Sequence, residues 1–196
     1  GNMIGQKRRL QALFFALVLI LVFLLAAQPK IGSAEGGYTL WSEYSTEKIR
    51  RDEQYAKAQA GDRALHVSMV RGERESVHLI ISADRDIASY NVQLAPLTSA
   101  GGEVFPVENM KVFNQCYIQT LRQSKSYYEP GWYPDAILPF ETAVEYGENK
   151  VAAGENQGIW FRFDATGEEM PAAGTYTGTF VLTIDGAAEN IPVSVK

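Results

Sequence analysis

The sequence predicts an all-β fold, an antiparallel β-sandwich of immunoglobulin-like or jelly-roll-like kind, behind an N-terminal signal peptide. Three observations predict it: period-two alternation of apolar and polar residues, turn residues between those runs, and almost no amphipathic helix. Hydrophobic residues make up 46% and charged residues 21% of the 196, a balance that fits a folded domain and argues against disorder.

In chain order, Lys7, Arg8 and Arg9 precede an unbroken apolar run from Ala12 to Ala27, followed by Pro29, Gly32, Ser33 and Ala34. A basic start, a short apolar stretch and small residues at its end are the parts of a secretory signal, so residues 1–34 are expected to be cleaved. The run falls short of the ~20 apolar residues a membrane span needs. A retained membrane anchor is the alternative, and membrane contact is expected only in that case. Either way residues 35–196 form the domain, secreted or at the cell surface. Removing four cations and no anion takes the formal charge from −5 to −9. Such a surface repels phosphates, which excludes a nucleic-acid partner.

Leu65, Val67 and Met69 alternate with His66 and Ser68, and Tyr90, Val92 and Leu94 with Asn91 and Gln93. Ile159, Phe161 and Phe163 oppose Trp160, Arg162 and Asp164; Tyr176, Phe180, Leu182 and Ile184 oppose Thr177, Thr179 and Thr183. Each pattern is a strand with one buried face. Val77–Ile81 is apolar on both sides except at His78, which predicts a central strand. Turns are expected at Arg71-Gly72-Glu73, Ala100-Gly101-Gly102 and Asp185-Gly186, and Pro192 predicts an edge position. Asp52–Ala60, ended by Gly61, reads as the one helix. The single Cys116 rules out an internal disulfide and is expected in the core.

From Thr120 to Lys150 the alternation stops, which predicts a long loop at about 121–149. Tyr127, Tyr128, Trp132, Tyr133, Phe140 and Tyr146 are too many aromatic residues to leave in water, and Pro130, Pro134 and Pro139 stiffen the path. Such a loop either seats a sugar on its aromatic faces, with Asp135 accepting hydroxyl hydrogens, or fills a seam against a second domain. Tyr127, Tyr128, Trp132, Tyr133 and Asp135 are the candidate contact residues.

No phosphate-binding glycine loop or nucleophile elbow is present, and no cofactor is expected. A hairpin centred on Gly72 would oppose His66 to His78, but two imidazoles without a third ligand make no metal site. Glycoside hydrolysis needs two carboxylates about 5–10 Å apart. Asp135, Glu141 and Glu145 lie in the odd stretch, yet sequence distance does not make a pair of them, and no catalytic residue is assigned.

Three stretches carry a family resemblance: Arg71-Gly72-Glu73-Arg74-Glu75-Ser76, Gly131-Trp132-Tyr133-Pro134-Asp135-Ala136-Ile137-Leu138-Pro139, and Gly154-Glu155-Asn156-Gln157-Gly158-Ile159-Trp160 followed by Pro171 to Gly178. In this order they resemble the N-terminal β-sandwich of bacterial proteins similar to glycoside hydrolase family 123, from about Trp41 to Lys196. The resemblance implies an accessory sandwich before a (β/α) barrel. In that family the barrel's Asp-Glu pair hydrolyses N-acetylhexosaminides, with the substrate's acetamido group as nucleophile. None of those catalytic residues falls in this chain. The expected role is therefore to brace or extend a glycan cleft, with a glycan, a C-terminal barrel or both as partners. A free-standing carbohydrate-binding module and a structural surface domain are the alternatives. Gln157-Gly158 stands where the family has glutamine-proline, and an altered turn is expected there.

Overall fold

Two sheets account for the alternating runs. The computed structural model describes residues 36–123, 129–167 and 170–196, all within the unit Gly32–Lys196. The expected signal segment, like Tyr127 and Tyr128, lies outside the described residues.

The first sheet is antiparallel, in the order β1 (Tyr38–Tyr44), β3 (Arg74–Ala83), β9 (Asn156–Asp164), β7 (Met110–Thr120), β8 (Gly131–Pro139). The second runs β2 (Leu65–Val67), β11 (Ala187–Val195), β10 (Tyr176–Ile184), then β4 (Tyr90–Gln93) and β5 (Leu97–Ser99) end to end along β10, with β6 (Val104–Phe105) outermost. Among the described strands only β2 and β11 pair in parallel. The alternating runs bury the expected faces: Leu79, Ile159, Phe161 and Phe163 from one sheet meet Tyr90, Phe180, Leu182 and Ile184 from the other. The Phe180 ring stacks on Phe161 at 5.6 Å and on Phe163 at 6.4 Å between centroids. The expected turn at Asp185-Gly186 is a two-residue hairpin with φ of 48° and 85°, the left-handed pair that suits the twist of β10 and β11. Pro192 sits where β11 lacks an outer neighbour, since β2 pairs only with Val193–Val195.

Val77–Ile81 lies in β3, between β1 and β9, buried on both faces. Its outer face is covered by the connection from β1 to β2. There Ile49, Tyr55 and Ala58 pack on Trp41 and Ile80. Asn156 ties that connection to the sheet. Its side-chain amide donates to the Arg50 and Glu53 carbonyls at 2.9 and 2.6 Å, and its own N–H donates to the Arg51 carbonyl at 2.8 Å.

Those bonds correct the helix expected over Asp52–Ala60. Only α1 (Ala56–Ala60) forms, because the carbonyls that would start an earlier turn are already taken. Gly61 ends it as expected, at φ 62°. The hairpin around Gly72 is also corrected. The chain crosses there from one sheet to the other, the Gly72 N–H donates to the Ala165 carbonyl, and His66 and His78 lie in different sheets. Cys116 is half-buried on β7 and not in the core; burial pushes its thiol pKa up. Gln157-Gly158 is no turn but part of β9, with Gly158 opposite Ile80.

The largest correction concerns the expected loop at 121–149. Residues 131–139 are the edge strand β8, and Phe140–Glu145 form a short helix, α2. The alternation is broken by an extra residue of β8 at Asp135–Ala136, between the pairs Gln115–Ile137 and Tyr117–Pro134. Pro134 and Pro139 are tolerated within the strand because, among the described residues, β8 pairs on one side only.

Candidate functional site

At the start of β8, Trp132 and Tyr133 are half-buried and gripped by two consecutive arginines from the β1–β2 connection. The Arg51 guanidinium lies 5.2 Å from the Trp132 ring and 5.9 Å from the Tyr117 ring, and its Nε donates to Glu155 at 2.7 Å. Arg50 lies 4.8 Å from the Tyr133 ring and donates to the Pro130 carbonyl at 3.2 Å. The backbones are joined as well. Arg51 N–H donates to the Trp132 carbonyl at 3.1 Å, and Trp132 N–H to the Asp52 carboxylate at 3.2 Å. The Tyr133 hydroxyl donates to the Glu129 carbonyl at 2.7 Å. Cation–aromatic contacts of this kind contribute about 0.5–2 kcal/mol each, so the two rings are held in fixed orientations.

Gly131 makes the grip possible. A Cβ there would stand 1.9 Å from Arg50 Nη2 and 3.0 Å from the Asp52 carboxylate, with φ at 156°. Gly131→Ala is expected to push the guanidinium off Tyr133 and lower stability by ~1–2 kcal/mol, read as a shift of the urea midpoint.

Asp135 is exposed and lines a separate cleft on the same outer face, about 270 Å³ in volume, between residues 45–49 and strands β7, β8 and β9. Trp160 and Gly158 lie along it from β9, Gln115 and Tyr117 from β7, and His78 from β3. The Trp160 indole N–H donates to Gln115 Oε1 at 2.7 Å. The Gln115 amide in turn donates to the Cys116 and Ala136 carbonyls, at 3.0 and 2.9 Å, which fixes the ring. The Gly158 N–H donates to the Tyr117 hydroxyl at 3.0 Å, and burial raises the pKa of that phenol. His78 packs 5.3 Å from Trp160. Its pKa is pushed down to about 4 by burial, against the Glu43 carboxylate and the Tyr44 backbone, which both favour the charged ring. Glu43 is buried, which would raise its pKa, but the hydrogen bond from Lys57 and the Tyr44 N–H hold it below the usual carboxylate range.

Of the residues singled out from sequence, Trp132 and Tyr133 share one grip and Asp135 lies in the neighbouring cleft. Glu141 and Glu145 are exposed on α2. Gln115, Tyr117 and Trp160 were missed, and His78 was weighed only as a metal ligand beside His66. Two signals pointed to them: His78 is the sole polar residue in its apolar run, and Trp160 is an aromatic residue out of phase with Ile159 and Phe161. Among the described residues no group of three His, Cys, Asp or Glu is arranged to hold a metal ion, and no helix is long and apolar enough to cross a membrane.

No protein-family model matches the sequence, and no curated protein matches it. Among solved structures the chain is similar to a family 123 glycoside hydrolase from Clostridium perfringens, whose structure concerns glycolipid glycan hydrolysis. The TM-score is 0.64 at 10% identity, over 81% of this chain and 27% of that one. The likeness is one of fold. The chain thus corresponds to about a quarter of the hydrolase. A second match, the CooA pilin subunit of enterotoxigenic Escherichia coli, has a TM-score of 0.34 at 15% identity, over 80% of this chain and 95% of the pilin, and carries no argument.

Proposed function

We propose that this chain is the non-catalytic, N-terminal β-sandwich of an exported protein that hydrolyses glycans, and that it braces or extends the glycan cleft beside a (β/α) barrel. Trp132, Tyr133 and Asp135 are the contact residues, joined by Tyr127 and Tyr128 from outside the described segments. The observation that carries this reading is the Arg50–Arg51 grip, which fixes the Trp132 and Tyr133 rings on an edge strand. Rings fixed in advance lose little entropy when a sugar or a second domain meets them. The fold shared with part of a glycoside hydrolase supports the setting, and so does the family resemblance of Gly131–Pro139.

In this reading the chain alone does not turn over N-acetylgalactosaminide or N-acetylglucosaminide reporters. Turnover that is lost in Asp135→Asn or Glu141→Gln would overturn it. A free-standing carbohydrate-binding module is the second reading, favoured by the cleft beside Trp160. It predicts glycan-array binding by the chain alone, abolished by Trp132→Ala.

A further inference from the structure

The outer-face cleft holds hydrogen-bonding capacity that the chain does not use. His78 is 2% exposed and lines the cleft, yet its Nε2 has no partner. Buried polar atoms are almost always paired, so an orphan on a cleft wall points to a ligand group. The imidazole is neutral at pH 7, and the Tyr44 backbone, which favours the protonated ring, draws the remaining proton to the nitrogen other than the unpartnered Nε2. Nε2 is then the acceptor. At the exposed end Asp135 and Glu47 add carboxylate acceptors. Two of the donors nearby are already engaged, the Trp160 indole N–H by Gln115 and the Gln115 amide by two carbonyls, while Ser45, Thr46, Lys48 and the Tyr117 hydroxyl also line the cleft. Hydroxyl groups, which both donate and accept, suit such a mixed lining.

The apolar part of the wall is formed by the Trp160 ring with Ile49, Pro134 and Ile137. Gly158 keeps the floor open: a Cβ there would come 3.2 Å from the Gln115 Cβ. Lys48 also lines the cleft and offsets one of the two carboxylates, and the apolar walls disfavour burying the charge of an ammonium ligand. A donor-rich, uncharged ring with apolar C–H faces is a pyranose. We propose that this cleft is a subsite for one neutral sugar residue, seated on Trp160, with one hydroxyl donating to His78 Nε2 and another to Asp135. Choosing a sugar among donor-rich ligands rests on the glycan reading above; the cleft itself does not depend on the Trp132 end of β8.

The test is titration of the full chain with N-acetylgalactosamine, N-acetylglucosamine, galactose and mannose, with methylammonium as a parallel arm, following the three tryptophan indole N–H resonances by NMR. At least one sugar is expected to shift the Trp160 signal saturably and leave Trp41 unmoved. His78→Phe is expected to weaken that binding by roughly tenfold or more. Asp135→Ala, an exposed change that leaves folding intact, is expected to weaken it by several-fold. The subsite is overturned if no sugar moves Trp160, if methylammonium alone does, or if binding survives both substitutions. Shifts confined to Trp132 would also overturn it, while leaving the glycan reading of the β8 end standing.

Discussion

Phe180→Ala is expected to cost ~3–5 kcal/mol of folding stability, a large share of what a domain of this size has. Phe180 is 1% exposed near the middle of β10, and its ring stacks on Phe161 and Phe163 of the facing sheet. Removing the ring opens a void that the neighbours are poorly able to close. Ile191 is held opposite it in register, and Phe161 and Phe163 are fixed by β9 between two flanking strands. Phe180→Leu keeps most of the volume and is expected to lose less than half as much. Thr179→Ala, one residue away on the exposed face, is expected to stay within ~0.5 kcal/mol of the parent. Urea unfolding decides the matter: the Phe180→Ala midpoint should fall with little change in slope. A loss below about 1 kcal/mol would mean that the two sheets do not meet through this ring.

The same inner face shows why the sandwich was legible in the sequence. From Ile159 onward β9, and β10 through most of its length, alternate because one side meets the other sheet and the other meets water or polar cover. Asp185-Gly186 then leaves one short way to connect β10 to β11. Sheet membership was not legible. Leu65–Val67 and Arg74–Ala83 flank a turn-like Arg71-Gly72-Glu73, and nothing local distinguishes a hairpin from a crossing between sheets; the bond from Gly72 to Ala165 comes from almost a hundred residues away.

The candidate site was half legible for a related reason. Trp132 and Tyr133 stood out because aromatic residues among prolines need a partner, but the partners, Arg50 and Arg51, lie eighty residues earlier in a stretch without pattern. β8 itself was hidden by its bulge and its prolines, both features of an edge. The cleft was invisible from sequence. His78, Gln115 and Trp160 are drawn from three strands and meet only because β3, β9 and β7 are neighbours, while Ile49 closes over them from the β1–β2 connection.

His78 also sets an expected acid limb in the stability of the whole domain. In the unfolded chain a histidine titrates near 6.5; in the folded chain burial brings His78 down to about 4, against the opposing pull of Glu43 on β1. Above pH 6.5 both states hold the ring neutral and its contribution is complete. Between pH 6.5 and 4 the unfolded chain binds a proton that the folded chain does not, so stability falls as the pH drops through that window and levels off below it. The full loss is about 3 kcal/mol. Glu43, held low by Lys57 and the Tyr44 N–H, adds its own loss at more acid pH, below the ordinary carboxylate range. Asp135, Glu47 and Lys48 share the cleft with His78 and are present in both parent and variant, so comparison with His78→Gln removes their contribution. Unfolding free energies measured in steps from pH 7.5 to 4.5 should show a parent curve that steepens below 6.5 and a His78→Gln curve that is flatter over the same interval. Parallel curves would mean that the ring reaches water and takes its proton while folded. That result would also mean that Nε2 is satisfied by water and is not the buried orphan on which the sugar subsite rests.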